Sequence, residues 1–297
     1  MTAVETTSRA PRAAMRKLRR AATRNYRVTI CTTLLTLVAI AAVFAPLLAP
    51  YGPQDLAVGE PLSPPSPEHI FGVDNFGRDQ LSRILDGARI SLGISAIVTI
   101  VSMALGAPLG LILGYRRGRV DFLVSRFLDL LFAFPGILIA LVLATALGPG
   151  LTTAAIAMCV IYVPQATRFV RGVVASESVK DYVVAARTVG ASGFRVIFVH
   201  ILPNIRSQLL VITTLVLSFA VLTEAALSFL GVGAQAPSSS WGRMLTDGRD
   251  FLMTQPFLAV VPALAIAALV LILNGLGDGL RDRLDTDAVT VDPKAAP

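Results

Sequence analysis

The sequence predicts an all-α membrane protein with six transmembrane helices. Of its 297 residues, 54% are hydrophobic and only 15% are charged, and the mean hydropathy is +0.70. A soluble domain carries roughly 25% charged residues, so a water-soluble protein of this size would have too much surface for so few charges to cover. The apolar residues are gathered in six long runs, and this composition also excludes a disordered chain.

Each run is close to the length of about 20 residues that is needed to cross roughly 30 Å of hydrocarbon. A signal peptide is the alternative for the first run, but its basic leader and its apolar stretch are both long, which favours a membrane anchor. Pro135 and Pro164 are expected to bend the third and fourth helices. In chain order, the predicted spans are Val28–Leu48, Ser91–Gly114, Phe127–Leu147, Leu151–Thr167, Gln208–Gly231 and Pro256–Gly277.

Basic residues predict how these spans are oriented. Six spans place both termini on one side, and 21 of the 26 Lys and Arg residues fall in the segments on that side. Since cytoplasmic loops carry the excess of Lys and Arg, both termini are expected in the cytoplasm. The prediction is a basic cytoplasmic leader (1–27), a membrane domain (28–285) and a cytoplasmic tail (286–297). The net charge of +7 then needs no nucleic-acid partner.

Two of the connecting segments are long. Segment 51–90 is expected outside the membrane and segment 168–206 in the cytoplasm. The cytoplasmic segment contains a predicted amphipathic helix that Ser178 caps and Gly190 ends in a left-handed conformation. A second short run follows and ends at Leu202–Pro203. Apolar residues recur at helical spacing at Val179, Tyr182, Val183, Ala186 and Val189.

This predicted helix has two interpretations that the pattern alone leaves open. Its small residues Ala185, Ala186 and Gly190 are expected on its surface, where they would allow close docking into a groove on another protein. Alternatively, the helix lies in the lipid headgroups.

Other features favour structural roles. Gly106, Gly110 and Gly114 recur every four residues, a spacing typical of close helix packing. The run Gly77–Asp79 is interpreted as a turn with a local ion pair, and Trp241 as an anchor at the membrane–water interface. No spacing of His69, His200, Cys31 or Cys159 supports a metal site, and none supports a nucleophile–base pair.

The cytoplasmic segment resembles the EAA loop of permease subunits from bacterial ABC importers. The resemblance rests on Ala185–Ala186, Gly190 and Leu202–Pro203, and Val184 stands where the family usually has Glu. It implies a coupling helix that docks in a cleft of an ATPase subunit, with any ion pair of that Glu absent or replaced by Lys180, Asp181 or Arg187. The implied contact set is Lys180, Asp181, Tyr182, Val184, Ala185, Ala186, Arg187, Gly190, Leu202 and Pro203.

Further motifs are similar to C-type permeases for dipeptides, oligopeptides and nickel. They are Phe71–Asp79, Gly87–Leu92, Leu227–Gly233, Ser240–Gly242 and Asn274–Asp282. The resemblance implies a type I ABC importer permease fold in the bacterial plasma membrane. It also implies a B-type permease partner, two ATPase subunits and an extracytoplasmic substrate-binding protein.

The implied function is peptide import, in which this chain forms half of the pathway and catalyses no reaction. ATP and Mg are expected on the partner ATPases alone, because the sequence has no Walker-type phosphate loop. Nickel or a glutathione-like thiol is the alternative cargo. An ion-coupled secondary transporter is less favoured, because no internal repeat is evident.

Two carboxylates lie inside predicted spans, where charge often marks a pathway. Glu224 is a candidate pathway residue, which faces either a translocation cavity, where it meets a peptide's amino terminus, or a polar group of the partner permease. Asp129 is expected to form a local pair with Arg126, one turn before it.

Overall fold

The computed structural model describes the backbone of residues 10–287 and the side chains of residues 26–282. Parts of the predicted leader and tail, residues 1–9 and 288–297, lie outside the described residues. The described chain is helical, and its only β pairing is an isolated bridge between Val73 and Asp79. The helices are α1 (Ala10–Val43), α2 (Ala45–Leu48), α3 (Gln80–Arg116), α4 (Arg119–Phe132), α5 (Gly136–Leu147), α6 (Leu151–Glu177), α7 (Asp181–Thr188), α8 (Gly193–Arg195), α9 (Leu202–Phe229), α10 (Trp241–Arg249) and α11 (Phe257–Asp287).

Within the described residues, five helical stretches are long and apolar enough to cross a membrane, and they correspond to five of the six predicted spans, although the first ends at Val43 and not at Leu48. They are Tyr26–Val43, Gln80–Arg116, Leu151–Glu177, Gly193–Phe229 and Phe257–Asp282. Several extend well beyond the predicted runs. α3, for example, has 37 residues and is therefore about 55 Å long, so its ends project past the hydrocarbon.

The third predicted run is divided between α4 and α5, which meet at an angle of 82°. The bend expected at Pro135 is confirmed, since this residue is the extended N-cap of α5 (φ −57°, ψ 128°). Proline has no N–H and disfavours helical geometry in the residue before it. α6, in contrast, continues through Pro164 as one helix.

The predicted close packing at Gly106, Gly110 and Gly114 is confirmed. All three glycines face α6, and a Cβ at Gly110 would lie 2.7 Å from the carbonyl oxygen of Thr167. The contacts advance from Val163 beside Gly106 to Val174 beside Gly114. α3 and α6 therefore run parallel and end at the same end of the molecule.

This parallel packing determines how the chain passes through the membrane. α6 has 27 residues and begins at the opposite end, where Gly150 N–H donates to Val232 O (2.9 Å). The α4–α5 pair must therefore connect opposite ends, so it is a broken crossing rather than a re-entrant loop. We call the end that carries α7 the α7 end, and the end that carries α10 the α10 end.

Both ends of the described chain lie at the α7 end. α1 and α11 run antiparallel, since a Cβ at Gly279 would meet Val28 and one at Gly275 would meet Cys31. The chain after α1 reaches the start of α3, where Tyr51 N–H donates to Ser82 Oγ (3.2 Å). The predicted placement of both termini on one side agrees with this arrangement.

Trp241 is a core residue, so the expectation that it anchors the membrane–water interface is wrong. Its side chain is 3% exposed and packs in a cluster with Val221, Ala225 and Leu269. Its indole Nε1–H donates to Ile84 O (3.0 Å). α10 is thereby fixed across α3, α9 and α11.

We expect Gly110→Ala to weaken the α3–α6 contact, because the added methyl group meets backbone as well as Val170. The cost should be about 1–3 kcal/mol, measured as unfolding of the detergent-solubilised protein. Gly93→Ala is the matched control in the same helix, where an added Cβ meets nothing within 4 Å. This control should be neutral or stabilising by up to about 1 kcal/mol. Equal stability of the two variants would contradict the packing argument.

Candidate functional site

The candidate site is α7, which is attached to the ends of three long helices. Val183 is fully buried and Ala186 is nearly so. Both belong to an apolar cluster that joins α3, α6 and the start of α9. Its buried members are Leu111, Val170, Val174, Val183, Ala186, Val196, Ile197, Ile201 and Ile205. α7 is therefore packed directly on the ends of these helices.

The start of α7 is held by Glu177, the last residue of α6. This carboxylate is buried, accepts a hydrogen bond from the Tyr182 hydroxyl (2.7 Å) and pairs with Lys180 Nζ (2.8 Å). Burial and the hydrogen bond to Glu177 raise the pKa of Tyr182. Ser178 does not cap the helix as expected, because its hydroxyl donates to Ala175 O (3.1 Å) instead.

Gly190 ends α7 in the left-handed conformation that the sequence predicted, with φ +84°. Two backbone hydrogen bonds close the turn, from Gly190 N–H to Arg187 O and from Ala191 N–H to Ala186 O (both 3.0 Å). This is the Schellman arrangement, in which glycine avoids a steric penalty. A Cβ at Gly190 would meet nothing within 4 Å, so the space beside it is open.

The exposed face of α7 is largely apolar or small. Val184 is 50% exposed, and Ala185 and Asp181 are exposed beside it. Ala186, which was expected on the surface, packs against the chain's own core because it lies on the same face as Val183. Of the three remaining side chains, Tyr182 bends back to Glu177, and the Thr188 hydroxyl donates to Val184 O (3.0 Å). Arg187 stacks on Tyr115, with 4.5 Å from the guanidinium carbon to the ring centroid.

Leu202 and Pro203 do not end a helix, in contrast to the prediction. A π-helical turn (Val196–Ile201) leads directly into α9, so the span predicted from Gln208 starts earlier. Pro203 lies just after this turn, so the continuous helix lacks one backbone N–H donor at this position. Leu202 packs on the cluster beneath α7, and Pro203 is exposed.

Glu224 lies inside the chain and is 0% exposed. One carboxylate oxygen accepts a hydrogen bond from Ser228 Oγ (2.8 Å), and Ser228 Oγ in turn accepts from Ala234 N–H (2.9 Å). In the described conformation it faces neither a cavity nor a surface for a partner permease. Its observed contacts fasten the turn after α9.

Sequence reasoning missed a buried charge network at the α10 end. The local ion pair expected at Gly77–Asp79 reaches outside that run, because Arg78 Nε pairs with Asp74 Oδ2 (2.6 Å) and Asp79 contacts His69 Nδ1 (2.9 Å). Arg83, 1% exposed, also binds Asp74 and reaches Asp247 Oδ2 (3.2 Å). Asp247 lies 164 residues along the chain from Arg83, so no local pattern signals the contact. The network ties segment 51–79 and α10 to α3.

Asp129 forms the expected pair with Arg126 (3.8 Å) and a second, unexpected one with Arg168 of α6 (3.3 Å). These three side chains are exposed at the surface of the chain. Within residues 26–282, no group of three or more His, Cys, Asp or Glu side chains is placed to hold a metal ion.

Comparison with known proteins gives a consistent result. The family profile described as binding-protein-dependent transport system inner membrane component matches residues 106–288. A putative peptide transport system permease protein of Brucella suis is 43% identical over 262 residues, covering 88% of each chain. The dipeptide transport system permease protein of Alkalihalophilus pseudofirmus is 42% identical over 252 residues, covering 85% of this chain and 83% of the relative.

A third relative is named for a different cargo. The glutathione transport system permease protein of Pectobacterium atrosepticum is 40% identical over 260 residues, covering 87% of this chain and 86% of the relative. Among solved structures, an inward-facing methionine ABC transporter matches with a TM-score of 0.58 and 17% identity. The match covers 69% of this chain and 97% of that chain, and it shows the fold alone.

We expect Arg83→Met to destabilise the protein strongly, because it leaves Asp74 and Asp247 buried with fewer cationic partners. The loss should be roughly 3–5 kcal/mol, measured as unfolding in detergent. Arg89→Met, at an exposed position in the same helix, is the control and should change stability little. A stability loss for Arg83→Met no larger than that of the control would show that the network is not needed for folding.

Proposed function

Because the chain belongs to the family of inner membrane components of binding-protein-dependent transport systems, we propose that it forms half of the membrane pathway of an ATP-driven peptide importer. The observation that carries this proposal is α7, a short helix that is rigidly joined to the ends of α3, α6 and α9 and presents its other face outwards. Such a helix suits the transfer of motion from a partner subunit to the membrane helices. The chain itself is a multi-pass inner-membrane protein.

In this proposal α7 is the contact for an ATPase subunit. The exposed residues Asp181, Val184 and Ala185 meet the partner, with Lys180 and Arg187 at the two ends of the helix. Ala186 and Leu202 contribute indirectly, because they hold α7 on the apolar cluster. Val184 places an apolar side chain at the centre of the contact, and Asp181 is the acid nearest to it on the exposed face.

The ATPase subunits carry out the chemistry, and this chain is a non-catalytic subunit. ATP and Mg are bound by the partners. ATP binding draws the two ATPase subunits together, and the cluster under α7 carries that movement into α3, α6 and α9. The pathway opens on one side of the membrane and then on the other as the cycle proceeds.

The charges favour a cytoplasmic α7 end, because cytoplasmic surfaces carry the excess of Lys and Arg. At the α7 end, exposed basic residues are numerous: Arg116, Arg117, Arg119, Arg126, Arg168, Arg187, Arg195 and Arg206. At the α10 end, Arg78, Arg83 and Arg243 are paired with Asp74 or Asp247. The leader (1–27), the tail (286–297) and segment 168–206 are then cytoplasmic.

The α10 end then lies outside the cytoplasm, where the substrate-binding protein would bind. Segment 51–90 and α10 meet the substrate-binding protein outside the membrane, and a B-type permease completes the pathway. Peptide cargo is supported by the names of the relatives from Brucella and Alkalihalophilus. Glutathione, for which a third relative is named, is itself a tripeptide. Glu224 meets cargo only if transport uncovers the buried face of α9.

We expect Gly190→Trp to prevent assembly with the ATPase subunits, because the indole occupies the open space beside α7 and forces a strained backbone. The measurement is co-purification of the ATPase with the tagged chain, expected to fall at least about tenfold. Gly231→Trp is the matched control at the α10 end, with φ +79° and nothing within 4 Å of an added Cβ. Full assembly of the Gly190→Trp variant would contradict the proposal that α7 contacts the ATPase subunit. Loss of assembly in both variants would indicate misfolding.

A further inference from the structure

The break between α4 and α5 lies within the membrane and is exposed on the surface of this chain. α5 has 12 residues and spans about 18 Å, too little to cross roughly 30 Å of hydrocarbon alone. Ala133, Phe134 and Pro135 at the break are all exposed. Non-helical backbone at this depth is tolerated only where protein covers it or water lines it. This face is therefore expected to meet protein or water rather than lipid.

A groove follows α5 and α6 on this face, and we call it the α5–α6 groove. Its larger part, about 340 Å³, is apolar and is lined by residues such as Leu138, Val142 and Val160. A smaller part of about 90 Å³ continues past Ile161 and Pro164 to Gln165. The two parts share Phe134, Ile139 and Val160.

Charged side chains lie where the groove reaches the α7 end. Phe132 lines the groove, and the guanidinium of Arg168 lies 5.1 Å from the centroid of its ring. One Asp129 carboxylate oxygen lies 3.3 Å from Arg168 Nη2, and the other lies 3.8 Å from Arg126 Nη1. This triad of Arg126, Asp129 and Arg168 has two cations for one anion. Its side chains are 42–69% exposed, so the excess cation is open to a ligand.

We propose that the triad binds the free carboxylate of the transported peptide, at the cytoplasmic end of a pathway wall formed by the α5–α6 groove. A guanidinium matches a carboxylate in shape and charge, and the apolar groove accepts the peptide's side chains. Asp129 holds both arginines in place and competes with the cargo. This competition keeps binding weak enough for release. The assignment rests on the proposed peptide function.

Binding at the triad is tested by protection of a nearby thiol in the complete complex in nanodiscs. The background carries Cys31→Ala and Cys159→Ala, and Gln165→Cys places a thiol beside Arg168. We expect a water-soluble maleimide to label this thiol and dialanine to slow the labelling, whereas dialanine amide has no effect. Leu264→Cys, on an exposed apolar face of α11, should resist labelling under all conditions.

Three further variants separate charge recognition from a structural role. Arg168→Gln should raise the dialanine concentration for half-protection about tenfold, and Arg168→Lys should recover most of that loss. Asp129→Asn should lower the half-protection concentration about threefold, because it removes the competing carboxylate. Arg119→Gln, an exposed arginine at the same end, should leave it unchanged.

Several results overturn the assignment. A thiol at position 165 that stays unlabelled means that a partner permease or lipid covers the groove. Equal protection by dialanine and its amide, or protection that survives Arg168→Gln, means that no carboxylate is recognised there. ATP-driven uptake of dialanine by the same complex, reconstituted in closed lipid vesicles, separates the two proposals. Uptake without protection contradicts only the proposed carboxylate site. The absence of uptake contradicts the proposed peptide function itself.

Discussion

The contact of α3 with α6 over Gly106, Gly110 and Gly114 fixes the position of most other parts of the molecule. Each glycine lets backbone meet backbone, with no room for a Cβ between the helices. The hydrocarbon gives little drive for helices to associate, so close contact of small residues has a large part in setting their geometry. Here that geometry is parallel, and it brings two helix ends together at one end of the molecule.

Two consequences follow from the parallel arrangement. The ends of α3 and α6 form a platform with the start of α9, and α7 is seated on it through Val183 and Ala186. The chain must also return between α3 and α6 through α4 and α5, which do so as a broken crossing. One helix, α6, therefore carries Val170 and Val174 beneath α7 and Gln165 and Arg168 beside the groove. In the proposed mechanism, α6 is the element that would carry a movement of α7 to the pathway wall.

Much of this architecture could be predicted from the sequence, because hydropathy, glycine spacing and proline act locally. The five continuous spans, the break at Pro135 and the left-handed end of α7 at Gly190 all depend on properties of nearby residues. The parts that could not be predicted depend on distant contacts. The first turn of α3 lies outside any apolar run and is held by Gln80, which donates to Leu258 O, and by Arg83, which pairs with Asp247. Only its N-cap is local, since Asp79 accepts from Ser82 N–H (2.8 Å). Helical periodicity identified an apolar face on α7, but it did not show that Ala186 would be buried there.

In the proposed assembly, the exposed face of α7 contacts an ATPase subunit in the cytoplasm. The most direct test is cross-linking of Val184→Cys, in a background without Cys31 and Cys159, with a short thiol-reactive photo-cross-linker in intact membranes. Val184 is half exposed at the middle of α7 and should be inaccessible to impermeant thiol reagents added from outside the cell. We expect a cross-linked product between Val184→Cys and the ATPase subunit. A product with lipid alone, or labelling from outside the cell, would contradict it.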